Sequence, residues 1–403
     1  MLTRRMFLGT TAAALAARAA EPKRIAAIIT EYRPLSHADV IVGKYLEGYR
    51  QNGQPPGPRS RIVSMTTEQV PKNDMSREMA KKHGVPIFRT VHEALTLGGD
   101  SLAVDGVLLI GEHGDYPLND KGQKMYPRYE MFLKITDSFR QLKRSVPLFS
   151  DKHLSYNWVQ AKRMYEISRE LGFPFMAGSS VPVAYRVPQV DTPYGAKVTH
   201  AGAVAFGGIE SYGFHMLESM QSLAERRAGG ETGVSAVQCL EGDAVWNFLD
   251  ANAWAKRLFD ACLSRSEKRE PGDVRALVKT LAVYLVDYRD GLKGAGFMMT
   301  GALGDFTAAV SIADRAEPLS VLMKLQRGRP HHHFACLVQN IEKMYESGKA
   351  TYPVERTLLT SGILDFGMGS RFDGHKRIET PELNVKYRAS RESHFCTEPP
   401  VDA

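Results

Sequence analysis

The stretch "VDGVLLIGEHGDYP", residues 104–117, sets an apolar run directly against Glu112, His113 and Asp115. The run is short, rich in Val, Leu and Ile, and bounded by glycines and Pro117, which is the pattern of a strand buried on both faces. Such strands belong to parallel sheets covered by helices on either side. The charged tip has two readings. It is part of a site, or it is the polar turn with which a buried strand stops.

The neighbouring sequence supports the parallel sheet. "RIAAIIT" (24–30), "RIVSMTT" (61–67), "VPIF" (85–88) and "SVPLFSD" (145–151) read as further strands, and "FPFMAGSSVP" (173–182) as the next strand and turn. Between them lie helical patterns: "HADVIVGKYLEGY", "NDMSREMAKKHG" capped by Asn73 or Asp74, "TVHEALTLGG", "MYPRYEMFLKITDSFRQLK" and "YNWVQAKRMYEISRELG". The last has Val159, Met164, Ile167 and Leu171 on one side. "QNGQPPGPRS" (51–60) reads as a loop. Strand–helix alternation over residues 24–182 predicts a doubly wound α/β domain. Ligand-binding groups in such folds gather beyond the carboxyl ends of the strands. "TEYRPLSHAD" (30–39), "GEHGDYP" (111–117) and "DKHLSYN" (151–157) all fall there, bringing His37, Asp39 and His153 toward one crevice. The second half, with "VSAVQCLEG", "LVKTLAVYLVDYRD", "GAGFMMTGA" and "PLSVLMKLQRG", predicts several β runs in an α+β domain.

At 403 residues, two domains are expected. The composition, 43% hydrophobic and 24% charged, is that of a globular protein. Net charge is +7, but basic residues are scattered, which argues against a nucleic-acid partner. "TRRMFLG" (3–9), a short apolar stretch and Ala17-Arg18-Ala19 form an export signal, with Arg4-Arg5 of the twin-arginine type. The signal is too short to serve as a membrane span, and no later run reaches spanning length. A periplasmic or otherwise exported protein beginning near residue 21 is expected. The four cysteines form no Cys-x-x-Cys pair, and their spacing selects no pairing.

Three strings carry a family resemblance: "FSDKHLSYNWVQAKRMYEISRELGFPFMAGSSVP", "GGIESYGFHMLESM" and "HFACLVQNIEKMYESGKATYPVERTLLTSGILDFGMGS". In this order they resemble the Gfo/Idh/MocA family, named for glucose–fructose oxidoreductase and inositol dehydrogenase. The resemblance implies an N-terminal Rossmann-like nucleotide-binding domain (21–182) after the signal (1–20). It also implies a C-terminal α+β domain (183–403) with an open mixed sheet. It further implies NAD or NADP, a carbohydrate or polyol substrate, and a homo-oligomer paired through the open sheet. Lys152 falls on the lysine of the family's Glu-Lys-Pro motif, with Asp151 and His153 in place of Glu and Pro. His215 falls on the family's histidine, with Ser211 where an aspartate is usual. Catalytic roles are therefore implied for Lys152, His215 and Ser211, with Glu112 and His113 added from the crevice.

The glycine-rich phosphate turn is absent. In its place stands "TEYRPLSHADVIVG", whose Glu31 repels a pyrophosphate unless Arg33 neutralises it, and whose Ser36 is placed to cap the next helix. Thr30, Glu31, Tyr32, Arg33, Ser36, Gly111 and Lys152 are the expected cofactor contacts, with Glu68 on the ribose. Lys72 and Arg77 suit a 2′-phosphate equally well. A redox-neutral lyase, epimerase or glycoside hydrolase on the same scaffold, and a non-catalytic carbohydrate-binding protein, are the alternatives. No metal site is expected. His331, His332 and His333 are adjacent and cannot all face one ion. Arg226 and Arg227 read as a solvated helix end or an anion clamp.

Overall fold

In the computed structural model, residues 21–49, 57–326 and 328–400 are described. The expected export signal and most of the expected 51–60 loop lie outside them. The first half runs β1 (Arg24–Glu31), α1 (His37–Glu47), β2 (Arg61–Gln69), α2 (Ser76–His83), α3 (Val91–Thr96), β3 (Gly106–Ile110), α4 (Arg128–Gln141), β4 (Leu148–Asp151), α5 (Trp158–Glu170) and β5 (Phe175–Gly178). The five strands form one parallel sheet in the order β2-β1-β3-β4-β5. The expected strand at 85–88 survives only as an isolated bridge between Met65 and Ile87.

The apolar runs behave as two-faced strands. Ile25, Ala27 and Ile29 of β1 pack toward α1, whereas Ala26 and Ile28 face α3, α4 and α5. Helix boundaries follow local chemistry. Ser36 caps α1, accepting from the Asp39 N–H. Thr90 and Glu93 form a capping box on α3, and Gly84 ends α2 in the left-handed region at φ 65°. Neither Asn73 nor Asp74 caps α2. Met75 occupies that position, and the Asp74 carboxylate accepts from Ser76 Oγ instead. The buried side of α5 is Trp158, Ala161, Met164 and Ile167. Val159 lies outside it, 72% exposed.

The second half continues with β6 (Tyr185–Val187), β7 (Val198–Ala205), α6 (Gly213–Ala224), β8 (Val234–Glu241), α7 (Asp243–Ala251), α8 (Ala253–Arg265), α9 (Val274–Leu277), β9 (Thr280–Tyr288), β10 (Lys293–Thr300), β11 (Phe306–Ile312), β12 (Leu319–Lys324), α10 (His332–Ser347), α11 (Val354–Phe372) and β13 (Ile378–Glu379). The strands form a mixed sheet in the order β13-β8-β9-β10-β7-β11-β12-β6, with β7 and β10 parallel. One face packs on α6 and α11, in a core continuous with the α4–α5 side of the first sheet.

The opposite face, expected to be open, carries α7 and α8. Leu258 and Phe259 cover Val204, Ala295 and Phe297. The expected division at 182/183 is crossed by α10. Its Leu337, Val338 and Ile341 join the α1 side of the first sheet, and the Tyr345 hydroxyl donates to the Val107 carbonyl. No helix among the described residues is long and apolar enough to cross a membrane.

Candidate active site

Because β1, β3 and β4 are adjacent and parallel, the segments following Glu31, Ile110 and Asp151 share one edge of the sheet. Thr30 ties the first to the second, its Oγ1 donating to the Glu112 carbonyl at 2.9 Å. Glu31 is neutralised by Arg33, with Nε to Oε1 at 2.5 Å. Tyr32 is fully buried beside α1. Gly111 makes room for Arg128, since a Cβ there would lie 2.5 Å from Arg128 Cγ.

Arg128 is fully buried and pairs with Glu112, and its Nη1 donates to His153 Nε2 at 3.1 Å. The second cation on Glu112 is Lys152, with Nζ 3.5 Å from Oε1. Burial alone would raise the Glu112 carboxyl. Lys152 and Arg128 outweigh it and hold the group well below the usual carboxylate range. Glu210 closes the chain, its Oε1 3.6 Å from His153 Nε2. Burial, then the Glu112 charge, lifts Glu210 to about 7. Glu210 precedes α6 in a turn rather than riding on a helix, and so reaches His153.

Three residues along this edge hold left-handed backbone without being glycine: Leu35 at φ 63°, Lys152 at φ 68° and His113 at φ 70°. Such conformations persist only where surrounding contacts enforce them, and they cluster at functional sites. Lys152 is fixed by its ion pair and by donation from Nζ to the Ser211 carbonyl at 3.0 Å. His113 accepts through Nδ1 from the His37 N–H at 3.3 Å. Burial, then the neighbouring His37, pushes His113 down to about 4. His37 Nδ1 lies 2.6 Å from Asp151 Oδ2, a carboxylate–imidazole pair of the kind that orients a base.

Across from this edge, His215 stands in the first turn of α6, framed by the rings of Tyr212, Phe214 and Phe306. Its Nδ1 meets Ser179 Oγ at 2.5 Å, and Nε2 has no hydrogen bond among the described residues. Burial, then the Lys152 charge, holds His215 well below the ordinary imidazole value, so the ring is neutral. Ser211, placed by resemblance beside His215, offers its carbonyl to Lys152, and Ser179 supplies the hydroxyl on the imidazole.

The structure thus gathers Lys152, Glu112, His113 and His37, with His215 within the field of the Lys152 charge. Glu68 lies farther out, accepting from the Tyr116 hydroxyl at 2.7 Å. Sequence reasoning missed Arg128 and Ser179. The one signal for Arg128 was a basic residue opening an otherwise amphipathic helix, and Ser179 had none. Arg226 and Arg227 belong elsewhere. Both are buried, Arg226 on the Thr192, Ser390 and Arg391 carbonyls and Arg227 on Glu231 and Asp290. Neither is a solvated helix end, because the final turn of α6 runs into the protein instead of water.

A cavity of about 460 Å³ lies between the ends of β1 and β2 and helices α3 and α4, lined by Ile28, Thr66, Glu68, Arg89 and Lys134. Its position on the first βαβ unit, its apolar wall and its rim of Glu68 and Arg89 fit the adenosine part of a dinucleotide. The N-terminus of α1 fits the pyrophosphate less fully, because His113 and Ser36 already take N–H groups there.

No protein-family model matches the chain, and no curated protein matches it by sequence. Solved structures do match in fold. GenD2 from gentamicin A biosynthesis, in complex with NAD, superposes with a TM-score of 0.57 at 12% identity, covering 89% of this chain and 97% of its own. Myo-inositol 2-dehydrogenase from Lactobacillus plantarum gives 0.53 at 12%, covering 89% and 99%. An Agrobacterium radiobacter oxidoreductase in complex with NAD+, L-tartaric acid and magnesium gives 0.53 at 11%, covering 90% and 99%. The chain therefore has the fold of the Gfo/Idh/MocA-type dehydrogenases, as the three strings implied. At these identities the likeness is one of fold.

Proposed function

We propose that this protein is an exported, nicotinamide-dependent oxidoreductase acting on a hydroxyl of a sugar or polyol. The observation that carries the reading is that Lys152, locked at the end of β4, and the neutral His215 on α6 both pack on the Tyr212 ring, Lys152 Nζ 6.0 Å and the imidazole 5.9 Å from its centre. A neutral imidazole with Nε2 available accepts the substrate hydroxyl proton. The Lys152 ammonium, balanced by Glu112, donates to the same oxygen as negative charge develops on it. Ser179 holds the imidazole in place, and Phe306 with Tyr212 excludes water from it. When bound, the nicotinamide supplies hydride acceptance. Glu68 and Arg89 would hold its adenosine end.

GenD2 and the Agrobacterium radiobacter oxidoreductase bind NAD, and the Lactobacillus plantarum neighbour is a myo-inositol dehydrogenase, which supports the cofactor and substrate classes. Export by the twin-arginine signal and self-association belong to the same proposal. Fractionation of cells carrying Arg4→Lys and Arg5→Lys together tests the first. The reading as a whole is tested by assaying sugars and polyols with NAD+ and NADP+. Lys152→Ala and His215→Ala are each expected to lower kcat by about 10²–10⁴-fold while the far-UV spectrum is unchanged. Equal turnover in all three proteins would overturn it.

A redox-neutral reaction is the second reading, favoured by the His37–Asp151 pair and by the missing glycine turn. Glycoside or keto-sugar turnover with no net change in nicotinamide absorbance would select it.

A further inference from the structure

We propose that His332, Cys336 and Cys396 form a binding site for a thiophilic divalent metal ion, zinc by its chemistry, which fastens the C-terminal tail to α10. The site uses none of the crevice residues Lys152, Glu112, His113 or His215.

The ligand atoms of the three residues all lie within 4.8 Å of one another. His332 Nδ1 is 3.6 Å from Cys336 Sγ, and its Nε2 is 3.8 Å from Cys396 Sγ. Around a tetrahedral zinc, with bonds of about 2.0–2.3 Å, neighbouring donors sit roughly 3.5 Å apart. Only one imidazole nitrogen can face the ion, and with one donor from each residue the separations reach up to 4.8 Å, so the donors draw together by roughly 1 Å on binding.

His332 and Cys336 are four residues apart, hence on one face of α10. Cys396 arrives from the far end of the chain. No disulfide joins the two sulfurs. All three residues are buried, at 4%, 1% and 6% exposure.

The surroundings are built as a metal's outer shell is built. A backbone hydrogen bond from Glu398 reaches the Cys396 sulfur. The Cys396 N–H donates to the Val183 carbonyl at 2.9 Å. Asn340, one turn below Cys336, donates through Nδ2 to the carbonyls of both Cys336 and His394, clamping helix to tail. Asn340 Oδ1 and Glu398 Oε2 are buried without a hydrogen-bond partner among the described residues.

Binding is not a redox step. Each thiol loses one proton, and two thiolates with a neutral imidazole balance a 2+ ion. The three protein ligands leave a fourth position for water.

The full-length mature protein, prepared with a thiol-free reductant, is equilibrated with Zn²⁺ or Co²⁺, passed through a desalting column and assayed for metal. One ion per chain is expected, and the Co²⁺ form should show strong thiolate-to-metal absorbance in the near ultraviolet. Cys396→Ser is expected to lose most of that band, whereas Cys262→Ser, at a buried thiol elsewhere, keeps it. A wild-type protein that retains no metal, or a Co²⁺ form without thiolate bands, overturns the proposal. So does an intact mass showing Cys336 and Cys396 joined as a disulfide in the protein as isolated. The wild-type titration stands even where a cysteine variant fails to fold.

Discussion

Glu210 is the residue whose charge state the fold controls most visibly within the working pH range. In the unfolded chain it titrates near the ordinary carboxylate value, and in the folded protein at about 7. Between these values the folded state holds a proton that the unfolded state has released. The stability this carries is present at low pH and is lost as pH rises through about 7. Glu210→Gln cannot ionise, so it should gain on wild type by about 2–3 kcal/mol between pH 5 and pH 8. Urea midpoints at the two pH values measure this, and a constant difference between the proteins would show that Glu210 titrates normally. The sequence disclosed Glu112, His113, Lys152 and His215 because each stood at a strand end or in a recognisable string. It hid Arg128 and Ser179, because their importance is a matter of where α4 and the end of β5 bring them in space.

Among elements, the edge formed by β1, β3 and β4 depends on a narrow passage at Gly111. Arg128 crosses so close that any side chain there meets its Cγ, and Arg128 cannot swing aside while it bonds Glu112 and His153. Gly111→Ala should therefore cost about 1–3 kcal/mol by overpacking, read as a lower melting temperature. An unchanged melt would mean that the arginine relaxes freely. Strands of continuous apolar residues were legible because burial on both faces leaves no other pattern. β7, rich in Ala and Gly, and β11, with Ala308 and Ala309 at its centre, gave no comparable signal, since small residues there admit α6 and α8 at close range. The face expected to be open is covered for a related reason. α7 and α8 read as ordinary amphipathic sequence, and only the sheet they meet gives them their role.

For the whole molecule, the two sheets are not separable units. The α1 side of the first sheet is completed by Leu337, Val338, Ile341, Met344 and Tyr345, which come from the far half of the sequence. A fragment of residues 21–182 would expose that apolar face. It should aggregate or bind a hydrophobic dye, where the full chain melts in one transition. A monomeric, cooperatively folding fragment would contradict this. The division visible in the sequence therefore marks a change of sheet and not a boundary of stability.

The late arrival of α10 has a consequence for synthesis. A chain made from its N-terminus has β1 to β5 outside the ribosome long before residues 332–347 emerge. Through that interval the sheet has a bare side, open to chaperones or to wrong partners. Export of a finished molecule, as proposed above, would have to wait until this late helix is made.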